Sequence, residues 1–441
     1  MLESLVAGVF RLEARRRMRL VPSTGIAAPP GGPVSLYLHV PFCEVLCPYC
    51  SFHRVRYQDG KVHRYFAALR REIRLYHELG YRYSGVYVGG GTPTVAPDEL
   101  VATHGLVREL NPALGDISVE TNPKDLRDEV LAALAGAGVG RLSVGVQTLD
   151  DGLLAKMGRL EKYGDRAEIL GRLAAAAGRF RTLNVDLMWN LPQQSEAMLE
   201  ADLEGVLASP ANQASFYPLM QTRAAARQMA KTMGLPARRR LRRDYERILA
   251  RLRPEFTPTS GWCFSRGARG IDEYLVDSGD YVGLGSGAFG YVGGTLYATT
   301  FSLNSYVDRI ERGLSGVTGE RRLGARERMQ YDLLLRLFGL RLDRAWARAR
   351  YGERFERALA PELAAFRLLG AIDSDARGWH LTDRGMFLWV QMMSAFFESV
   401  NAFREQMRHQ IRAELEDDHF GEALVPLAEI RHGPGDLRRG R

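Results

Sequence analysis

From Ser35 to Met220 the chain alternates short β-rich runs with helical patterns, and no other feature restricts its fold so strongly. The β-rich runs are SLYLHV (35 to 40), GVYVGG (85 to 90), DISVET (116 to 121), RLSVGVQT (141 to 148), TLNVDLMWN (182 to 190) and QASFYPLM (213 to 220). After the first run, Phe66, Leu69, Ile73 and Tyr76 recur every three or four residues, the period of a helix with one apolar face. Strands alternating with helices predict an α/β fold whose sheet is parallel and joined by right-handed crossovers, either open or curled into a barrel. Both forms place their chemistry at the C-terminal ends of the strands.

The reactive residues of this sequence fall at those ends. Cys43, Cys47 and Cys50 follow the first run, and Gly89 to Pro93 follow the second. Glu120 and Asn122 stand at the third, Gln147 at the fourth, and Asp186 and Asn190 on the fifth. Five successive strand ends therefore predict one polar rim.

Around this unit the pattern changes. Residues 1–34 hold a basic segment (Arg15, Arg16, Arg17) and the stretch PSTGIAAPPGGP, whose Pro and Gly read as a linker. The barrel pattern fills 35–300 and includes a glycine-rich stretch, DYVGLGSGAFGYVGG. Residues 301–395 turn mainly helical, and FRLLGAIDSDARGWHLTDRG reads as a helix leading into a β-hairpin, the outline of a small winged domain. Residues 396–441 read as an amphipathic helix and a charged tail.

With 441 residues, 46% of them hydrophobic, the chain can bury a substantial core. No run approaches the roughly 18 to 20 apolar residues that span a bilayer. The apolar start precedes its basic cluster, the reverse of a secretory signal. Four cysteines, three of them within eight positions, do not form a disulfide framework, and a cytoplasmic location is expected. The net charge of +8 permits anionic partners, but the densest basic run, PARRRLRRDYERILARLR, has helical spacing. Its Leu241, Tyr245, Ile248, Leu249 and Leu252 share one face, so a solvated helix face is favoured over a nucleic-acid patch.

The cysteine loop, PFCEVLCPYCSFH, admits three readings. A redox dithiol uses Cys47 and Cys50 and leaves Cys43 without a role. Zinc needs a fourth ligand, for which His53 or His39 is available. Three thiolates alone suit a 4Fe-4S cluster with one iron left open to a small molecule.

In its surroundings, YLHVPFCEVLCPYC followed by YVGGGTPT, the loop resembles the radical S-adenosylmethionine (radical SAM) superfamily, and most of all its oxygen-independent coproporphyrinogen III oxidase-like branch. The resemblance runs from about Ser35 to Gly294 and continues through LLLRLFGLRL and LTDRG. It favours the cluster reading and implies a partial (β/α)6 barrel with a C-terminal, mainly helical, winged-helix-like domain. It also implies a cluster on Cys43, Cys47 and Cys50, with SAM chelating the open iron. An electron from the reduced cluster then cleaves SAM to methionine and a 5'-deoxyadenosyl radical. On the same ground Gly89, Gly90, Gly91 and Thr92 lie by the methionine part of SAM and Arg159 by its carboxylate. Gln147 and Asp186 serve the ribose, Tyr49 the adenine, and Glu120 and Tyr37 lie near the cofactor.

The substrate is less determined. The oxidase carries a fourth cysteine two residues after the third, whereas Ser51 and Phe52 follow Cys50 here. The haem chaperone of this branch shares an aromatic residue at that position. It also carries a His-Asn-x-x-Tyr-Trp type segment after the barrel, where this chain reads GWCFSRGARGIDEYLVDSGDYVGLGSGAFGYV. Radical SAM methyltransferases, including the haem-degrading kind, bind two SAM molecules and form a third alternative. The leading expectation is an enzyme that cleaves one or two SAM and acts on a tetrapyrrole, supplied by a low-potential electron donor such as a flavodoxin. The haem chaperone and the methyltransferase are its alternatives. Cys263, the one cysteine outside the loop, reads as a buried small hydrophobe before it reads as a radical relay.

Overall fold

The computed structural model describes residues 19–416 apart from 24, 221–222, 237–239 and 268–278, together with 8, 10 and 13. The arginines at 15 to 17 and the charged tail lie outside the described residues.

All six predicted strands form: β1 (Val34–Val40), β2 (Tyr83–Gly90), β3 (Ile117–Thr121), β4 (Val139–Gln147), β5 (Thr182–Trp189) and β6 (Gln213–Pro218). Each pairs in parallel with the next. Their residues are buried almost without alternation, as in β1 and β6, because helices cover one face and the interior of the curled sheet covers the other. The helix Asp59–Glu78 shows how the crossovers are held. Val62, Tyr65, Phe66, Leu69, Ile73 and Tyr76 form its buried stripe, and each such side chain contributes roughly 1.5–3 kcal/mol on leaving water.

The sheet extends beyond the six on both sides. At one side β7 (Cys263–Ser265) runs antiparallel to β6, with Thr257–Pro258 at its edge. At the other, β8 (Tyr281–Leu284) adds a seventh parallel strand beside β1. This strand comes from the glycine-rich stretch, where four residues, one of them Gly283, are too few to show a period in sequence. Phe289–Val292, Thr295–Thr299, Val317–Arg322 and Val21–Pro22 continue the sheet antiparallel. Among the described residues its thirteen strands run in a linear order with two ends, so the barrel is incomplete.

Buried Glu72 ties the helix Asp59–Glu78 to this added edge. Its carboxylate accepts from Tyr306 Oη at 2.7 Å and from the Gly285 amide at 3.0 Å. The basic run likewise turns inward. Tyr245, Ile248, Leu249 and Leu252 of the helix Leu241–Leu252 are buried, while Arg243 and Arg247 pair with Glu196, and Arg251 with Glu200.

The C-terminal part contains the helix Ala325–Phe338 and a three-stranded sheet of Arg341–Asp343, Gly378–Leu381 and Ile372–Ser374. The hairpin read from DSDARGWHL is the second and third of these strands. The main hydrophobic cluster includes Leu36 and Leu38 in β1 as well as Trp379 and Trp389 at the C-terminal end. The last helix, Asp383–Glu416, is 34 residues long and passes through residue 396 without a break. No helix among the described residues is long and apolar enough to cross a membrane.

Candidate active site

A cavity of about 310 Å³ opens at the C-terminal ends of the strands. Cys43, Cys47 and Cys50 all line it, none in a disulfide. The loop that carries them is fixed by main-chain bonds. Val55 N donates to Pro41 O at 2.7 Å and Tyr57 N to Cys43 O at 2.9 Å, which closes the loop at its base. From within, Arg54 donates to Cys47 O at 2.6 Å and to Cys50 O at 2.8 Å. Arg54 was not among the residues singled out in sequence; a cation just past a cysteine loop was the available signal. Burial raises the Cys43 thiol to about 11 and also raises Cys50, the latter against the pull of Arg54. Among the described residues no three His, Cys, Asp or Glu side chains converge on one point as ligands of a single ion do. Thiolates of a cluster bind separate irons and need no such convergence.

The triplet Gly89, Gly90 and Gly91 explains how loop and strand come together. A Cβ on Gly91 would lie 2.5 Å from Phe42 O, and one on Gly90 would lie 2.7 Å from the His39 ring. Only glycine lets β2 approach the cysteine loop this closely. Gly90 and Gly91 line the cavity together with Thr92, whose Oγ1 lies 3.8 Å from Cys43 Sγ. Gly89 is not among the lining residues; its missing side chain makes room for the Glu120 carboxylate, 2.7 Å from where its Cβ would be.

His39 is fully buried and uses both ring nitrogens, one with Tyr37 Oη at 2.8 Å and the other with His53 O at 2.9 Å. Burial and the charge of Arg404 hold it neutral, with a pKa lowered to about 3. His53 Nε2 meets Ser286 Oγ at 3.2 Å. The two histidines offered as fourth zinc ligands thus brace the loop from behind. Tyr37 reaches the cavity with its ring against Tyr87, centroids 6.2 Å apart.

On the remaining strand ends, Glu120 accepts from Tyr87 Oη at 2.9 Å and from the Gly90 amide at 3.1 Å. Asp186 accepts from Ser143 Oγ and Asn184 Nδ2, both at 2.7 Å. Burial raises the pKa of both acids. Gln147 lies at a register shift between β4 and β5 with φ 77°, and its amide folds back over Gly145. Arg159, only 4% exposed, donates to Tyr49 Oη at 3.1 Å and to Gly145 O, approaches Cys47 Sγ at 3.8 Å and stacks on Tyr163. Its buried Nε has no partner among the described residues. Tyr49, Arg159, Gln147, Glu120 and Asp186 all line the cavity. Cys263 does not: it is fully buried, 3.7 Å from Ser215 Oγ across β6 and β7.

The opposite wall comes from the last helix, which sequence reading set apart as an amphipathic tail. Phe396, Phe397, Val400, Asn401 and Arg404 face the cavity. Asn401 Nδ2 donates to Ser51 Oγ at 2.8 Å, one residue beyond the third loop cysteine. The Phe397 ring lies 5.9 Å from Trp262, and Trp262 lies 5.0 Å from Tyr217.

An incomplete parallel α/β barrel with three thiols, two glycines and a buried arginine around one strand-end cavity is the architecture of a SAM- and cluster-using class, and residues 37–205 match the radical SAM superfamily. The chain belongs to the branch of that superfamily that holds the heme chaperone HemW and oxygen-independent coproporphyrinogen III oxidase. It is 32% identical over 390 residues to the heme chaperone HemW of Mycobacterium tuberculosis (strain CDC 1551 / Oshkosh), covering 84% of this chain and 97% of that one. It is 35% identical over 178 residues to the oxygen-independent coproporphyrinogen III oxidase of Bradyrhizobium diazoefficiens, covering 38% of this chain and 39% of the other. The fold matches coproporphyrinogen III oxidase from Escherichia coli with a TM-score of 0.70 and 24% identity, over 87% of this chain and 92% of that one. A 4Fe-4S cluster and SAM are the cofactors of this superfamily.

Proposed function

We propose that this chain holds a 4Fe-4S cluster on Cys43, Cys47 and Cys50, binds SAM beside it, and binds haem for delivery in the manner of a haem chaperone. The observation that carries the choice of haem delivery is the similarity to HemW over 97% of that relative's length, against 39% for the oxidase. The thiols fit the cluster by their chemistry: soft donors, brought to one cavity wall by a braced loop. The SAM side fits as well. Arg159 brings an always-charged guanidinium to the cavity, suited to a carboxylate, and Gly90 and Gly91 leave main chain bare beside the loop. Glu120, Tyr37, Thr92 and Tyr49 line the same cavity, as do Asp186 and Gln147, the residues expected at the ribose. Gly89 acts one step back, by making room for Glu120.

When bound and reduced, the cluster would supply the electron that any cleavage of SAM requires. The chain's own residues would receive SAM between the strand ends and the last helix, with Glu120 and Asp186 as hydrogen-bonding groups in the lining.

Reductive turnover on a tetrapyrrole is the second reading, favoured by the full set of strand-end residues just described. It calls for a low-potential donor such as a flavodoxin. One anaerobic experiment separates the two: reconstitute the cluster, add reductant and SAM, and quantify 5'-deoxyadenosine and S-adenosylhomocysteine with and without haem or coproporphyrinogen III. Haem bound and recovered unchanged, with no rise in either product, is the expected result. A rise in 5'-deoxyadenosine with one tetrapyrrole makes the chain an enzyme on it, and accompanying S-adenosylhomocysteine makes it a methyltransferase.

A further inference from the structure

Three arginines line the cavity: Arg54 is held within the cysteine loop by Cys47 O and Cys50 O, and the other two stand on opposite walls. Arg159 belongs to the strand ends and is engaged with Tyr49 and the cysteine loop. Arg404 comes from the last helix, is 8% exposed, and lies between the faces of Phe52 and Phe289, 5.5 and 5.4 Å from their centroids. A guanidinium flanked by two rings is confined to a narrow slot. Its Nη1 donates to Asn401 Oδ1 at 2.7 Å, and Asn401 is itself held by Ser51, so the cation is oriented from the cysteine loop. Its field reaches across the cavity to Tyr37, Cys50 and Tyr281.

The surroundings of Arg159 and Arg404 differ. Near Arg159 lie the thiols and polar strand ends. Near Arg404 the wall is aromatic, with Trp262, Phe289 and Phe397, a surface suited to the flat face of a conjugated ring. Burying a guanidinium is costly and favours an anion placed against its planar fork. A ligand that combines a flat apolar body with a carboxylate satisfies both features of this wall.

We propose that Arg404 is a specificity-determining residue that recognises a carboxylate of a planar tetrapyrrole lying against Trp262 and Phe397. The inference rests on the haem-binding reading above and adds to it which wall receives the ligand and which of its groups is read.

The test titrates the cluster-reconstituted full chain with iron protoporphyrin and with its dimethyl ester, in the same dilute detergent, for the wild type, Arg404→Gln and Arg404→Lys. SAM affinity and thermal melting are measured alongside. A charge-assisted bond to the carboxylate predicts that the wild type prefers the free acid by about tenfold or more. Arg404→Gln should bring the preference close to one without changing ester or SAM affinity. Arg404→Lys, with the charge but not the fork, should fall between. Three results overturn the proposal while haem binding stands: a wild type that binds acid and ester equally, a variant that discriminates as the wild type does, or loss of SAM affinity with discrimination intact. If the wild type binds neither porphyrin, the haem reading fails and this inference falls with it. Should the glutamine variant melt before it can be titrated, unchanged discrimination in Arg404→Lys overturns the proposal.

Discussion

The strand-end wall and the last-helix wall enclose the same cavity but are fixed by different forces. The strand ends are set by main chain: parallel ladders, a loop closed by Val55 and Tyr57 amides, and glycines that allow β2 to touch it. The helix is set by side chains: ring contacts such as Phe397 with Trp262, and polar links such as Asn401 to Ser51 and Trp389 Nε1 to Leu334 O. Main-chain constraint holds geometry within fractions of an ångström, whereas side-chain docking tolerates substitution. Invariant chemistry belongs on the first wall and adjustable selectivity on the second.

The sharpest way to break this contrast is at the thiols. Cys43→Ala, Cys47→Ala or Cys50→Ala should each abolish a stable cluster, taking iron from about four per chain to background after anaerobic reconstitution. Retention of the full complement in any one would remove the three-thiolate assignment.

A second probe reaches the support behind the strand ends. Asp202 is buried, accepts from the Leu149 amide at 2.6 Å and from Thr148 Oγ1 at 3.1 Å, and so fixes the chain just past Gln147. Burial raises its pKa from 3.8 to about 7. Between those values the folded state holds a proton that the unfolded state has released, so stability falls as pH rises, by about 1 kcal/mol per pH unit, and levels off above the upper value. Asp202→Asn should flatten that part of the profile in denaturant melts from pH 4 to 8. An unchanged slope would mean that Asp202 is not the group responsible.

Gly91→Ala compares backbone tolerance directly. The added methyl would meet Phe42 O at 2.5 Å and Pro41 C at 2.8 Å, both main chain, and should cost about 1–3 kcal/mol and impair cluster loading. Gly105→Ala, in the helix Pro97–Leu110 with nothing within 4 Å, should instead stabilise by up to about 1 kcal/mol. Equal melts for the two would deny that close approach is why glycine stands at 91.

The smallest effect is expected on the helix wall. Asn401→Ala removes the bond to Ser51 and should cost about 1 kcal/mol, read as faster amide exchange in the last helix with the strands unaffected. Equal exchange in helix and strands would mean that the two walls open together.

What could be read from sequence follows the same division. β1 to β6 were legible because buried strands between amphipathic helices produce a short-range pattern, and the strand-end residues were legible because topology dictates where they lie. β8 was not, since Gly283 interrupts four residues that become a strand only by pairing with β1. The histidines at 39 and 53 were misleading as ligands because ring nitrogens carry no sign of which carbonyl or hydroxyl they will meet. Phe397, Asn401 and Arg404 fell in a segment read only as an amphipathic helix and tail; that it covers a loop near residue 50 is a contact between distant segments and has no local signature.

That contact also orders events in time. Ser51 and Asn401 are 350 residues apart in the chain. At about 5–20 residues per second, a ribosome needs roughly 18 to 70 s to pass from one to the other. Throughout that interval the thiol loop can be made, and the strands beside it laid down, with no helix over it. Any cellular machinery that must reach those sulfurs has its easiest access before the protein is finished.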